Sequence, residues 1–404
     1  MSLTSIEQEI KLTATQQYIL NKLQSKGQGY IVGGFVRDSF MPVEFKSKDC
    51  DFATNLSLEE MQELFKGIKQ KIVGKHFQVL LLEIDGISYE IARFRVDLKC
   101  NEKDRKEVEV AFTNDLEEDL KRRDFTMNAM AYDGKKVWYI RELCSTAYAS
   151  FRILKFVGNA EERIKEDALR ILRAIRFLNT RDCKCDYELI ETINKNKHLI
   201  LNLPVERIRD ELIKILSRRL EDNFNCKEYL KQTFLFEKVK EEYICPSSDY
   251  RLNIAYLFLN YKTPINKAED TLIKLKFSNK EIKEVMLLYK CLLLDNCYDF
   301  QIFRYLTFYK AQYLFDLLPY SKSRIKDLPK NFKDLAITPK QIMELGISQY
   351  NISKVQNLLL DEVMSMPKFN NLNTLSTIVQ KIDINSFTLT EKINDYLVNM
   401  YNNN

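Results

Sequence analysis

The sequence is short of the residues on which much enzyme chemistry depends. Of 404 residues only two are histidine, His76 and His198. A histidine-based triad or a multi-histidine metal site is therefore excluded, and any metal must be held by carboxylates, which points to a hard ion such as Mg²⁺. Both histidines are expected to be surface or structural residues. Nine cysteines, an odd number, contain no C-x-x-C pair. Neither a disulfide framework nor a zinc ribbon is indicated, and a reducing compartment fits best. No unbroken apolar run approaches the roughly 18 residues that a membrane helix needs. The N-terminal stretch MSLTSIEQEIKLTATQQ is polar and carries acids. It lacks the layout of a signal peptide and of a transit peptide, so the expected location is cytoplasmic. Sixty-two basic against 57 acidic side chains leave a formal charge of +5. That balance permits a polyanionic partner without demanding one.

Glycine and proline are scarce and segregated. Nine of ten glycines lie at or before Gly158, and seven of eight prolines lie at or after Pro204. Tight turns belong to the front and proline-punctuated helices to the back, which implies a mixed α/β head followed by an all-helical remainder. Within the head, residues 5–25 read as helical, YIVGG (30–34) as a strand entering a double glycine, FVRDSFM as a helix and KDCDFAT (48–54) as a strand. Ser57 and Glu60 form a capping box before LEEMQELF. QVLLLEI and ISYEIARF flank Asp85-Gly86, a strong hairpin signal. From about 115 to 131 the pattern turns helical, and EERIKEDALRILRAIRFL (from 161) and RIRDELIKILSRRL (207–220) repeat apolar residues at helical spacing. No comparable strand candidate follows residue 160. The NNN tail is expected to be disordered, and the aromatic run FRYLTFYKAQYLFDLLPY (303–320) to fill a helical core.

Three clusters carry candidate chemistry. In the first, Gly33 and Gly34 follow a buried strand, where they let the backbone approach a ligand, and the next helix offers free N–H groups to an anion. Arg37 sits one turn in, placed to touch a phosphate. Asp49 and Asp51 are two apart on a strand, so both carboxylates share a face while Cys50 points away. Paired carboxylates of this kind hold Mg²⁺ against a triphosphate. The second cluster is RRDFTMNAMA (122–131). Arg122 and Arg123 beside Asp124 suit phosphate binding, with Asp124 orienting a guanidinium and Asn128 reaching a sugar hydroxyl. A solvated helix start with a salt bridge is the competing reading. The third is Glu166-Asp167-x-x-Arg170-x-x-Arg173-x-x-Arg176. Asp167 and Arg170 are neighbours on a helix face, and Arg173 and Arg176 extend a basic stripe. A charged solvent face is the alternative. Glu90, on YEIARF, is either a third metal-facing carboxylate or an outward strand glutamate. Lys322, Arg324, Lys326 and Lys330 are either a contact to a polyanion's backbone or a solvated face.

In this order the motifs resemble those of the class II tRNA nucleotidyltransferases, which include the CCA-adding enzymes and bacterial poly(A) polymerases. GGFVRD…DCD resembles their metal-binding motif, RRDFTMNAMA matches their second motif, and EDALRILRAIRF matches their base-recognition helix. ERIRDELIKIL (206–216) resembles the next helix, and DLAITPKQIMELGIS…VQNLLLDEVM (334–364) the C-terminal region of bacterial CCA-adding enzymes. The resemblance implies a nucleotidyltransferase head (1–155), a helical neck with base recognition (156–225), a helical body (226–300) and a helical, tRNA-binding tail (301–404). It implies addition of C, C and A to the 3′ end of tRNA from CTP and ATP, with release of pyrophosphate. The partner would be the 3′ end and acceptor/TΨC region of tRNA, and no obligatory protein partner or membrane is inferred.

By the same resemblance Asp49 and Asp51 are the catalytic residues and hold Mg²⁺. Gly33, Gly34, Arg37, Arg123, Asp124, Asn128, Arg173 and Arg176 bind the nucleotide, and Asp167 and Arg170 read the base. Cytosine and adenine both present an amine donor beside a ring acceptor, which an Asp–Arg pair complements, whereas uracil and guanine reverse that order. The sequence departs from the family in YIRELCSTAYASFRILKFVG (139–158), which lacks the usual Asp-Pro-x-x-Gly pattern. The loop from Asp97 to Val110 keeps Asp104-Arg105 at a normal length. Alternatives are a poly(A) polymerase, an A-adding or CC-adding enzyme of the same family, or a non-catalytic RNA-binding relative.

Overall fold

The computed structural model describes residues 3–40, 49–73, 75–98, 109–140, 153–180, 183–185, 187–217, 247–294, 297–320, 325, 326 and 328–402. Most of the 139–158 segment and of the 97–110 loop lies outside these residues, as do Lys322, Arg324, the start of the expected body and the last two tail asparagines. The chain divides into two compact units, Met1–Glu211 and Leu212–Asn404.

The first unit is built on an eight-stranded mixed sheet. Its strands are β1 (Leu3–Glu7), β2 (Gly29–Val32), β3 (Asp51–Thr54), β4 (Lys69–Val73), β5 (Val79–Ile84), β6 (Ile87–Arg93), β9 (Met130–Tyr132) and β10 (Lys136–Ile140). Two short strands between them, β7 (Arg95–Asp97) and β8 (Val110–Phe112), pair with each other. The order is β1-β10-β9-β2-β3-β6-β5-β4, antiparallel except for the parallel β3–β6 pair.

Period-two patterning sends alternate residues to opposite faces. Ile31, Phe52, Leu80, Leu82 and Ile91 pack under helices α1 (Ala14–Gln24) and α3 (Leu58–Leu64) through Ile19, Leu20, Leu23 and Met61. Val32 and Ala53 face the other way, against Leu116 and Leu120 of α4 (Leu116–Lys121). Helix α2 (Gly34–Ser39) leaves β2 directly. The β5–β6 turn has positive φ at both Asp85 and Gly86, as a two-residue hairpin requires. Capping boxes close the starts of α1 (Thr13, Gln16) and α3 (Ser57, Glu60).

Several expectations need correction. Residues 5–7 are strand, since β1 finds its hydrogen-bond partners in β10, more than a hundred residues away. The span 115–131 holds only α4 and a single 3₁₀ turn (Thr126–Asn128) before β9, which is inserted between β2 and β10. Asp49 lies just ahead of β3 rather than within it. After residue 160 a two-residue strand, β12 (Lys184–Cys185), pairs with β11 (Ile153–Leu154). The long helical pattern is two helices, α5 (Ala160–Glu166) and α6 (Leu169–Thr180), broken at Asp167, whose carboxylate accepts from the Leu169 N–H. Two further helices follow, α7 (Tyr187–Asn196) and α8 (Val205–Leu216).

The second unit is helical throughout its described residues, from Tyr250–Asn260 to Leu389–Asn402. The expected aromatic core is there: Phe303, Tyr305, Leu314 and Phe315 are buried, while Phe308 and Tyr313 reach the surface. Among the described residues, no helix is long and apolar enough to cross a membrane.

Candidate active site

The site collects where β2, β3 and β6 end near α4 and α6. Asp51 pairs with Val32, the residue before the double glycine. Asp49 and Asp51 are exposed and the intervening Cys50 is buried at 2%, so the two carboxylates share a side even though Asp49 precedes the strand. That side is the one α4 covers, since Ala53 has the same parity. Glu90 shares it too, because Phe52 pairs with Ile91 across the parallel ladder. Although Asp51 keeps surface open to solvent, the atoms packed around its carboxylate raise its pKa to about 6, Glu90 and Asp49 add to the rise, and Arg123 opposes it. Among the described residues no three His, Cys, Asp or Glu side chains could chelate a metal by themselves. Asp49 and Asp51 are the carboxylates here that could hold a hard ion, with water and a phosphate completing its shell.

The glycines sit under guanidinium groups. Gly33 has φ of 71°, and a Cβ built there would lie 3.4 Å from Arg123 Nη1. A Cβ on Gly34 would lie 3.4 Å from Arg37 Nη2. Gly33 therefore needs the backbone freedom of glycine, while a Cβ there would only touch the tip of the Arg123 side chain. Arg37 is 3% exposed. It donates through Nε to Asp38 (2.7 Å) and through Nη1 to Asn128 Oδ1 (2.6 Å). Asn128 in turn donates to Asp124 Oδ1 at 3.0 Å, and Arg173 Nε donates to Asp124 Oδ2 at 2.7 Å. Asp124 thus spends its oxygens inside the protein: it fixes Arg173 and, through Asn128, Arg37. Burial favours its neutral form, but Arg173 and these hydrogen bonds hold its pKa below the ordinary value. Arg176 donates to Glu211 of α8 at 2.7 Å.

Asp119 was not anticipated. It is fully buried and receives Nε of Arg122 (2.9 Å), Nη2 of Arg123 (3.0 Å) and the backbone N–H of Arg95 (3.3 Å). Its spacing from the arginine pair, i to i+3 and i+4, was the available signal. Asp119 anchors one edge of Arg123, whose Nε is buried with no hydrogen-bond partner. A guanidinium N–H without a partner is one that an anionic ligand could satisfy.

Asp167 and Arg170 are arranged differently from the expected shared helix face. Asp167 stands in the break between α5 and α6 and takes both terminal nitrogens of Arg207, at 3.3 and 2.8 Å. Arg170 Nη1 donates to Glu166 (2.7 Å) and to the Arg163 carbonyl (2.9 Å). The two side chains are one turn apart, joined through the Arg170 N–H to Asp167 carbonyl bond of 3.1 Å. Asp167 lies near enough to Arg173 for its charge to help raise that arginine's pKa, against burial and behind the larger effect of Asp124.

Residues 29–143 match the family described as the Poly A polymerase head domain, and residues 184–220 match "Probable RNA and SrmB- binding site of polymerase A". A CCA-adding enzyme of Ligilactobacillus salivarius is 34% identical over 282 residues, 66% of this chain and 68% of that protein. One of Bacillus pumilus is 38% identical over 204 residues, 50% of this chain and 49% of that protein. The fold matches a Bacillus stearothermophilus CCA-adding enzyme in complex with CTP at a TM-score of 0.69 and 22% identity, covering 92% of this chain and 98% of the other. It also matches a Thermotoga maritima CCA-adding enzyme complexed with tRNA at a TM-score of 0.58 and 17% identity, covering 92% and 96%.

Proposed function

Because this chain belongs to the family of CCA-adding enzymes, we propose that it adds C, C and A in turn to the 3′ end of tRNA, taking CTP and ATP and releasing pyrophosphate. The observation that carries the reading is the convergence of one acidic and one basic cluster on the same double glycine. Asp51 stands opposite the residue before it, and Arg37 and Arg123 lie over it. A nucleoside triphosphate and a carboxylate-held cation are what such a pairing of charges accommodates.

In this reading Asp49 and Asp51 hold Mg²⁺, with Glu90 beside them. When bound, the ion supplies activation of the RNA 3′-hydroxyl and neutralises charge growing at the α-phosphorus. Gly33 and Gly34 let the triphosphate approach the backbone. Arg123, Arg37, Arg173 and Arg176 meet its negative charge, fixed beforehand by Asp119, Asp38, Asp124 and Glu211 so that little reorganisation is needed at reaction. Asp167 accepts from the exocyclic amine of cytosine or adenine, and Arg170 donates to the ring nitrogen beside it. To read a base, Asp167 must exchange part of its contact with Arg207, which is a half-exposed partner and therefore a yielding one. The division into head, neck, body and tail, action on the acceptor/TΨC region and a cytoplasmic location belong to the same reading.

The test is tRNA lacking its terminal CCA, incubated with Mg²⁺ and one labelled nucleotide at a time. CTP should be incorporated on the truncated end, ATP only on an end already carrying CC, and Asp49→Ala or Asp51→Ala should remove both while the protein stays folded. Absence of CTP and ATP incorporation by the parent chain would overturn the reading. Equal use of UTP would overturn the role given to Asp167 and Arg170.

A further inference from the structure

We propose that Phe177 is a positioning residue of the nucleotide site, its ring serving as the common platform on which three triphosphate-binding guanidiniums are held side by side. The proposal rests on the nucleotide-binding reading above and extends it to a residue that touches no ligand. The guanidinium carbons of Arg37, Arg176 and Arg173 lie 5.1, 4.3 and 5.7 Å from the centre of this one ring. The three arginines reach the ring from two anchored groups, Arg37 with Arg173 and Arg176 alone. Arg37 is tied to Asp38 and Asn128 on the sheet side, Arg173 to Asp124, and Arg176 to Glu211 on α8. Those hydrogen bonds fix one edge of each guanidinium. Arg37 and Arg173 are linked through Asn128 and Asp124, whereas none of these bonds ties Arg176 to either of them.

Three like charges so close repel one another. The repulsion registers at Arg176, whose pKa burial lowers, Glu211 restores in part, and Arg173 and Arg37 push down again. An aromatic ring between cations offers each of them its negative π-density, an attraction that grows when water is excluded. Phe177 is 3% exposed, so water is excluded. It is also braced. Phe125 meets it edge-on at 5.5 Å and 82°, and Phe156 lies against Phe125 at 4.8 Å. Phe125 belongs to the 122–131 motif, and the backbone around it is tied to 155–157 by the Thr126 N–H to Lys155 and Val157 N–H to Asp124 bonds. The ring thus has a fixed position from which to order cations that arrive from three directions. A leucine would fill similar space and supply none of the π-density.

The experiment replaces Phe177 in the full chain by 4-fluoro-, 3,5-difluoro- and 3,4,5-trifluorophenylalanine, which drain π-density at nearly constant shape, and separately by leucine (Phe177→Leu). Titration calorimetry without RNA reads the affinity for CTP and for inorganic tripolyphosphate, thermal denaturation reads the fold, and steady-state assays separate KM from kcat. The expected result is a stepwise loss along the fluorine series, reaching about tenfold in both affinities. KM for CTP should rise in step, with kcat changed by less than about threefold and melting unaltered. Affinities within about twofold of the parent across the whole series would overturn the proposal, whatever Phe177→Leu does. A parent chain that binds neither CTP nor tripolyphosphate would instead overturn the nucleotide-binding reading itself, and this proposal with it.

Discussion

Replacing Asp119 by asparagine isolates one buried charge on which the arginines of the site depend. The carboxylate is fully buried, while Arg122 and Arg123 keep 15% and 16% of their side-chain surface exposed. Asparagine keeps the shape and offers one acceptor oxygen, but its amide turns two N–H donors toward guanidinium groups that are themselves donors only. Removing one partner of a buried ion pair costs about 3–5 kcal/mol. Because both arginines can reach some water, the lower end applies, about 3 kcal/mol. Urea unfolding at pH 7 should show that loss. Burial alone would raise the Asp119 pKa, yet Arg123 and Arg122 hold it below its usual 3.8. The stabilisation is therefore complete above 3.8 and drains away only as the pH falls through the lower folded value, so the gap between parent and variant should be flat from pH 7 to pH 5. Affinity for CTP should fall as well, because Arg123 over Gly33 loses its fixed edge. A variant within about 0.5 kcal/mol of the parent, with unaltered CTP affinity, would refute the reasoning.

Other consequences concern the acids, the Asp167–Arg170 pair and the glycine. The Asp51 pKa is raised from 3.8 to about 6, so between those values the folded chain binds more protons than the unfolded one, and stability falls as the pH rises through that window. Without metal, Asp51→Asn should melt above the parent at pH 7.5 and level with it near pH 4. Mg²⁺ should raise the parent's melting temperature more at pH 7.5 than at pH 5 and leave the variant where it was; an equal shift in both would contradict the assignment. Arg170→Ala should raise misuse of UTP and GTP by more than it weakens triphosphate binding, and an unchanged misincorporation ratio would count against base reading by this residue. Gly33→Ala forces a side chain to φ of 71°, which should cost about 1–3 kcal/mol in thermal unfolding and raise KM for both nucleotides; a neutral outcome would show that the turn tolerates a Cβ.

What was legible in the sequence was what short range decides. The Asp85-Gly86 hairpin, the Ser57–Glu60 cap, the strand into the double glycine and the helical back half all follow from turn chemistry and periodicity, and all are present. The misread elements are those in which distant pairing overrules local preference. MNAMAY is rich in helix formers, yet Met130–Tyr132 is a strand because β2 and β10 leave a slot for it. Leu3–Glu7 is an edge strand whose pairing lies wholly in β10. Asp167 interrupts a helix by using its own carboxylate to cap the next one, which periodicity does not see. In the candidate site, residue type singled out the positions from Gly33 to Arg176, but not whether each side chain is committed within the protein. Asp124, Asn128 and the inner edge of Arg37 are committed to one another. The residues that arrange the others, Asp119, Phe177, Arg207 and Glu211, act through burial and through contacts between separate segments, and no motif spells those out.

The most direct test of the central claim is to sequence the 3′ ends produced from a truncated tRNA when all four nucleotides and Mg²⁺ are supplied together. The account predicts one dominant product, three nucleotides longer and ending in CCA, that disappears with Asp51→Ala. A ladder of adenosines, ends of mixed composition, or extension that survives Asp51→Ala would contradict it.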